Sequence, residues 1–415
     1  MHTYAECLTP FGRYALFRAE MPDAGSELWR TDGTLEGTAR ALDLNPGAAS
    51  STPGCGSVIG NRVFFTAWTS EHGREYWRSD GTLSGTDVFD LWPGARSGAQ
   101  EHVDNRDYQA AVGSRVFFTA QDGVHGRELW VTDGTREGTS MLKDIRSGPE
   151  GSSPFQMRAV GGRVFFSADD GEHGRELWTS DGTRDGTRLV ADIVPGGENS
   201  DPQLKNSALG FLFFSAHYKL PGFPTPSQLF FRSDGTRNGT VRLGDWNASR
   251  GVEFDDLNYF ERCSGCSDEQ LAGLWATDGS PPGTVAVRSS LRVLSTPVVA
   301  RSRLFFAASD GQHGYELWSS DGTAESTRMV HDTKPGSESS YDYELTAVGE
   351  FVVFEGDDGV HGAEPWLSDG AAAGTRLAAD VNPGPNASWP RAFTLAGGRV
   401  YFVSNRELWV LTGTP

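Results

Sequence analysis

One unit recurs along this chain, and the recurrence restricts the fold more than any other feature. Glu27-Leu-Trp-Arg-Thr-Asp-Gly-Thr34 returns as Glu75-Tyr-Trp-Arg-Ser-Asp-Gly-Thr82, Glu128-Leu-Trp-Val-Thr-Asp-Gly-Thr135 and Glu176-Leu-Trp-Thr-Ser-Asp-Gly-Thr183. Further copies centre on Asp234-Gly-Thr236, Asp278-Gly-Ser280, Asp321-Gly-Thr323 and Asp369-Gly-Ala371, and a ninth, worn copy is Glu407-Leu-Trp-Val-Leu-Thr-Gly-Thr414. From Asp32 the steps between the aspartates are 48, 53, 48, 53, 44, 43 and 48 residues.

Residues 155–193 show what one unit builds. Phe155-Gln-Met-Arg-Ala-Val160 reads as strand A, turned by Gly161-Gly162. Arg163-Val-Phe-Phe-Ser-Ala168 is strand B, aromatic and β-branched. Glu176-Leu-Trp-Thr-Ser180 is strand C and Thr187-Arg-Leu-Val-Ala-Asp-Ile193 strand D, with glycine-rich turns on either side of C. A long polar link, Val194 to Pro202, follows. Three hairpin turns make one antiparallel meander, and the link is long enough to reach the next sheet. Radial repetition of four-stranded meanders is the propeller description. A solenoid of parallel strands needs no such hairpins, and a lone meander buries too little to stand by itself.

Strand B recurs nine times, near Tyr14, Val63, Val116, Val164, Leu212, Leu257, Leu304, Val352 and Val400. We therefore expect an all-β propeller of four-stranded antiparallel blades, nine in number, the last lacking strand D, for 35 strands in all. Eight blades plus an accessory hairpin is the alternative. A single domain over 1–415 divides into repeats 1–47, 48–100, 101–148, 149–196, 197–248, 249–290, 291–337, 338–385 and 386–415, and closes as a monomeric ring.

Only 37% of the residues are apolar, yet 24 Phe, 12 Trp and 10 Tyr provide large buried faces. The net charge of −19 repels nucleic acid and anionic membranes. No apolar run is long enough for membrane insertion. The opening MHTYAECLTPFGRY has no basic region before an apolar core, so an extracellular or cell-surface location would require a leader absent from this sequence. Four cysteines allow three pairings. Cys263 and Cys266, with two residues between them, could close a local disulfide; free thiols, or metal or redox use, are the alternatives, and no βαβ context favours a redox pair.

Trp29, Trp77, Trp130, Trp178, Trp275, Trp318, Trp366 and Trp409 hold one position in strand C, with Phe230 as the exception. One large aromatic per blade fits wedge packing between blades better than a platform for sugars. The Asp-Gly-Thr turns have a local account: aspartate accepts backbone N–H bonds two residues on, and Gly takes positive φ. The B–C turns carry Asp122 and His125, Asp170 and His173, Asp310 and His313, and Asp358 and His361, each followed three residues later by Glu. These are candidate metal ligands, set against a reading in which His bonds its own turn. A fifth copy, Glu71-His72-Gly-Arg-Glu75, lacks the Asp. Asp43, Asp90, Asp144, Asp192, Asp332 and Asp380 end the D strands beside Ser/Asn-rich links, so Ca²⁺ is a cofactor to consider, although no link has the spacing of a dedicated calcium loop.

Function belongs where the repeat breaks, because loops decorate a rigid scaffold. Trp68, Trp92, Tyr218, Phe223, Trp246 and Trp389 lie outside the repeated Trp position, in or beside irregular loops, and are candidate ligand contacts.

The run Glu-Leu-Trp-x-Ser/Thr-Asp-Gly-Thr-x-x-Gly-Thr, followed by Leu-Val-x-Asp-Ile-x-Pro-Gly, resembles a family of bacterial extracellular repeat proteins, read as β-propellers of uncharacterised function. The resemblance runs from about Tyr4 to Thr414 and is weakest where Asp278-Gly-Ser-Pro-Pro-Gly-Thr284 replaces the usual turn. It implies secretion or surface display and brings no catalytic residues. No nucleophile elbow, phosphate loop or HExxH occurs. The expectation is therefore a non-catalytic binding scaffold that recognises a glycan or surface protein through irregular rim loops. A structural propeller with no small ligand and an enzyme using a central channel are the alternatives.

Overall fold

Strands B and C are built to be buried on both faces. In the fourth repeat Phe165 pairs with Thr179 and Phe166 with Trp178, so each face of the sheet carries an aromatic ring. Phe165, Phe166, Leu177 and Trp178 are all buried. In the computed structural model, which describes residues 5–100, 107–218, 227–262 and 273–412, this pattern gives an all-β propeller of nine blades. The described residues form 36 strands and one three-residue 3₁₀ turn, Ala372–Gly374. The blades span 6–42, 57–89, 109–143, 155–191, 203–244, 252–289, 292–331, 341–377 and 391–411. Each is a consecutive antiparallel meander, and the ninth has three strands.

The strand total exceeds the expected 35 by one. In the seventh sheet Arg292–Val293 and Val298–Ala300 both pair with strand B, Arg303–Ser309, so strand A is split into two pieces. The break follows Leu294, whose N–H bonds Ala307 across a kink closed by Ser295.

Contacts group the chain into two compact units. One holds Met1–Gln228, Ser233–Thr240 and Ala396–Gly398, the other Leu229–Arg232, Val241–Leu395 and Arg399–Pro415. Within each, the core lies between successive sheets. In the first unit, Phe117, Leu129 and Val131 of the third sheet pack on Met157, Phe166 and Trp178 of the fourth. In the second, Phe305 and Leu317 of the seventh sheet pack on Val352, Phe354 and Trp366 of the eighth. Polar staples also join neighbouring sheets: Lys143 Nζ donates to the Thr187 carbonyl at 2.9 Å between the third and fourth, and Arg288 to the Thr327 carbonyl at 2.6 Å between the sixth and seventh.

The repeated Trp requires a small residue diagonally across from it on strand B. Ala67 and Ala168 pair with the Glu two residues before Trp, and the indole N–H of Trp77 donates to the Ala67 carbonyl at 3.1 Å. At Gly356, which stands in the same place, a Cβ would come 2.7 Å from the Trp366 ring. The C–D turn glycine answers a similar demand: Gly235 has φ +89°, and a Cβ there would lie 3.2 Å from Phe165 of the preceding sheet. Cys7 and Cys55, 48 residues apart, form a disulfide within the first unit. The Cys263–Cys266 pairing lies outside the described residues.

Candidate functional site

The B–C turn and the D–A link meet at the same end of a sheet, and in six of the sheets a buried glutamate joins them. Glu176 is fully buried. Its carboxylate accepts the Ile193 N–H at 3.0 Å, the Ser200 N–H at 3.1 Å and the Ser200 hydroxyl at 2.7 Å, so it grips both ends of the link. Glu27 with Ser51, Glu128 with Ser152, Glu316 with Ser340 and Glu364 with Ser388 repeat the hydroxyl bond at 2.5–2.7 Å. Desolvation pushes the Glu176 carboxyl up to about 7, against the bonds it accepts. Sequence reading passed over this clamp. Its signal was there: Glu and Ser are 24 residues apart in all five copies.

Each candidate histidine is bonded to its own turn. Nδ1 of His125, His173, His313 and His361 lies 2.7, 2.8, 3.0 and 2.7 Å from Oδ2 of Asp122, Asp170, Asp310 and Asp358. The bond raises each histidine pKa. Burial alone would raise the aspartates, but the backbone N–H bonds and the ring bond outweigh it and hold all four low. In the second sheet, where the turn has no Asp, His72 bonds Asp90 at 3.2 Å instead.

The D-strand aspartates leave one oxygen unused. Oδ1 of Asp43, Asp90, Asp144, Asp192 and Asp332 is buried without a hydrogen-bond partner. Calcium takes about six to eight oxygens. The neighbouring Glu carboxylate already grips the link, and no three His, Cys, Asp or Glu side chains among the described residues are arranged to hold a metal ion. The donor set does not fit a cation cage.

The loop aromatics divide by what they touch. Trp246 lies in a stack, its ring 5.3 Å from Phe230, 5.8 Å from Phe260 and 5.5 Å from Trp275, with the Arg262 guanidinium 4.8 Å away. It fills the room left where Phe230 replaces the usual Trp. Trp92 is half-buried under Arg96, its indole nitrogen 2.5 Å from where a Cβ on Gly123 would stand. Tyr218 is half-buried at the end of strand B of the fifth sheet. Phe223 lies outside the described residues. Trp68 and Trp389 are open to solvent, at 39% and 59% exposure.

Trp389 is the more constrained of the two. Its backbone has φ +52°, a region bulky residues avoid. The preceding Ser388 is fixed by its hydroxyl to Glu364 at 2.7 Å and by its N–H to the Ala363 carbonyl at 2.9 Å. Thr52, Ser153 and Asp201 share the conformation at the same link position, so the clamp imposes it and this link places a tryptophan there. The turn bearing Asp358 and His361 abuts the link: a Cβ on Gly362 would lie 2.7 Å from the Ala387 nitrogen. Asp380 and Glu364 also act on the His361 ring.

No protein-family model and no curated protein matches the chain. Among solved structures the chain is similar to a puromycin-hydrolysing peptidase of Mycobacterium tuberculosis, at 14% identity and TM-score 0.44, over 85% of this chain and 57% of that one. It is similar to a prolyl endopeptidase at 10% identity and TM-score 0.45, over 88% and 50%. It is also similar to the β-propeller domain of the Trilobed protease from Pyrococcus furiosus, at 11% identity and TM-score 0.39, over 79% and 98%. The chain thus spans little more than half the length of the whole peptidases it matches. At these identities the likeness is one of fold. The expectation of a non-catalytic scaffold for a glycan or surface protein is corrected here: the solved structures that the chain is similar to are peptidases, one of them matched in its β-propeller domain.

Proposed function

We propose a protease-like function, in which this chain is the propeller part of a peptide-hydrolysing enzyme and Trp389 meets the substrate. The observation that carries the reading is the presentation of Trp389: the ring is 59% exposed on backbone held at φ +52° by the Glu364–Ser388 clamp. The clamp imposes this backbone at the same link position in other sheets, and in this link it holds an exposed aromatic in place before a ligand arrives. The net charge of −19 and the low-pKa turn aspartates favour cationic peptides. The reaction class to test comes from the peptidases that share the fold. The bond-cleaving groups come from outside the propeller, since the Asp–His pairs and buried glutamates already hold turns and links.

Cationic and neutral fluorogenic peptide amides, titrated onto the protein and onto Trp389→Ala, test this. Cationic amides should bind more tightly, weaken with salt, and lose roughly tenfold or more in the variant. Binding indifferent to Trp389 overturns the reading; cleavage by the propeller alone overturns the placing of the cleaving groups outside it. The bacterial extracellular repeat class and an extracellular or cell-surface location belong to the same proposal. The Cys7–Cys55 disulfide supports them, because such bonds persist in oxidising compartments.

A further inference from the structure

Three consecutive sheets place an arginine just before the clamp glutamate: Arg74, Arg127 and Arg175. We propose that the middle one, Arg127, together with Arg175 and the Tyr108 and Phe155 rings, binds a carboxylate carried next to an aromatic group. The outer two have acceptors in the link before their own sheet. Arg74 donates to the Thr52 carbonyl and Arg175 to the Ser153 carbonyl, each at 3.0 Å. Thr52 and Ser153 directly follow the serine that a clamp holds. In the link into the third sheet that place belongs to Ala99, after Gly98 on the Glu75 clamp. The half-buried Arg127 side chain makes no hydrogen bond or ion pair to it or to any other group among the described residues.

Ser153 ties the two arginines together. Its N–H donates to the Arg127 carbonyl at 2.9 Å, and its own carbonyl accepts from Arg175. Two residues on, Phe155 packs against Tyr108, their ring centroids 5.0 Å apart. Thr119 fixes both partners: its N–H donates to the Tyr108 carbonyl at 3.0 Å, and its hydroxyl to the Pro154 carbonyl at 2.7 Å. Burial pushes the Tyr108 hydroxyl up and Asp107 adds to this, while the charges of Arg127 and Arg175 act against both. All of these groups belong to the first unit.

Arg127 therefore offers an unused planar fork, which fits a carboxylate with two parallel bonds. The two rings beside it offer an apolar surface for an aromatic neighbour. The nearest acids have other partners: Asp107 bonds Arg158 at 3.0 Å, and Asp169 bonds Arg146 at 2.7 Å. Asp169 and Asp201 still act on Arg175, so a singly charged carboxylate suits the place better than a phosphate monoester with nearly two charges. This inference is independent of the peptidase reading, which depends on Trp389 and the acidic turns.

The test uses the full chain with N-benzoylglycine and its neutral amide, followed by titration calorimetry. The acid should bind roughly tenfold or more tightly than the amide, and Arg127→Gln should remove that preference. Because Arg127 makes no bond of its own, the same variant should keep the parent Tm. Arg376→Gln, which removes an exposed charge from the eighth sheet, should change neither. The tripeptide Gly-Gly-Phe, as free acid and as amide, separates two sources of the carboxylate. An acid preference there as well points to a peptide C-terminus; binding of N-benzoylglycine alone points to a small aromatic acid. Equal binding of N-benzoylglycine and its amide overturns the proposal, as does an equal loss in the two variants or tighter binding of phenyl phosphate. A lower Tm for Arg127→Gln also overturns it, since this arginine would then hold the fold.

Discussion

The second and fourth sheets make the same clamp from different residues. Glu176 takes two N–H bonds and the hydroxyl of Ser200. Glu75 takes N–H bonds from Leu91 at 3.3 Å, Trp92 at 3.3 Å and Gly98 at 2.8 Å, with no hydroxyl available from a glycine. Burial drives both carboxyls up, Glu176 to about 7 and Glu75 to about 8. The turns differ in parallel: His173 bonds Asp170 in its own turn at 2.8 Å, while His72 bonds Asp90 on strand D at 3.2 Å. Deeper burial, the charge of Asp90 and the lack of a hydroxyl bond all act to raise Glu75, and a histidine that loses its turn partner bonds a carboxylate of strand D.

Reducing the Cys7–Cys55 bond should have the largest effect, about 4 kcal/mol for a crosslink spanning 48 residues. Cys55 lies in the link that enters the second sheet, so urea titration with and without reductant should show the loss in the first unit. Next, Glu176→Ala and Glu75→Ala each strand three donors; the Glu176 bonds, at 2.7–3.1 Å, are shorter than the Glu75 bonds, at 2.8–3.3 Å, so Glu176→Ala should cost about 3 kcal/mol and Glu75→Ala about 2 kcal/mol. Equal losses would erase the contrast between the two clamps.

Acidity gives the third comparison. Both glutamates have folded pKa values above their ordinary 4.5, so their contribution is complete below about pH 4.5 and is lost as pH rises through about 7 for Glu176 and about 8 for Glu75. The raised histidines add to the same alkaline decline, and the lowered turn aspartates cause loss on the acid side. Tm measured from pH 5 to 9 should fall, and Glu75→Gln should flatten the portion near pH 8 while Glu176→Gln flattens the portion near pH 7. A Tm that rises over this range contradicts the burial argument. The smallest effect is Gly98→Ser, about 1 kcal/mol of stabilisation with a lower Glu75 pKa. The backbone of Gly98 is not left-handed, but the new Cβ would stand 2.6 Å from the Glu75 carboxylate, which must move for the hydroxyl to help.

Much of the fold was legible because local chemistry repeats. The Asp-Gly-Thr turns, the Phe-Phe strands and the near-invariant Trp each specify a hairpin or a two-faced strand without reference to distant residues. The split strand in the seventh sheet was not legible, since it depends on Ser295 bonding Ala307 across a kink. The candidate site was legible only as residue types. Trp246 and Trp389 both read as loop tryptophans, yet one fills a stack around Phe230 and the other stands in solvent.

What the sequence determined by itself was the unit: four strands, three turns and nine copies, written in periodicity and turn residues that act over a few positions. Which groups share a buried space was decided by the tertiary structure. The Glu–Ser clamp closes over 24 residues and the disulfide over 48, and Trp409 is exposed on a strand that pairs on one side only among the described residues. Those outcomes depend on desolvation and on neighbours brought together only when the sheets pack, and no local propensity encodes them.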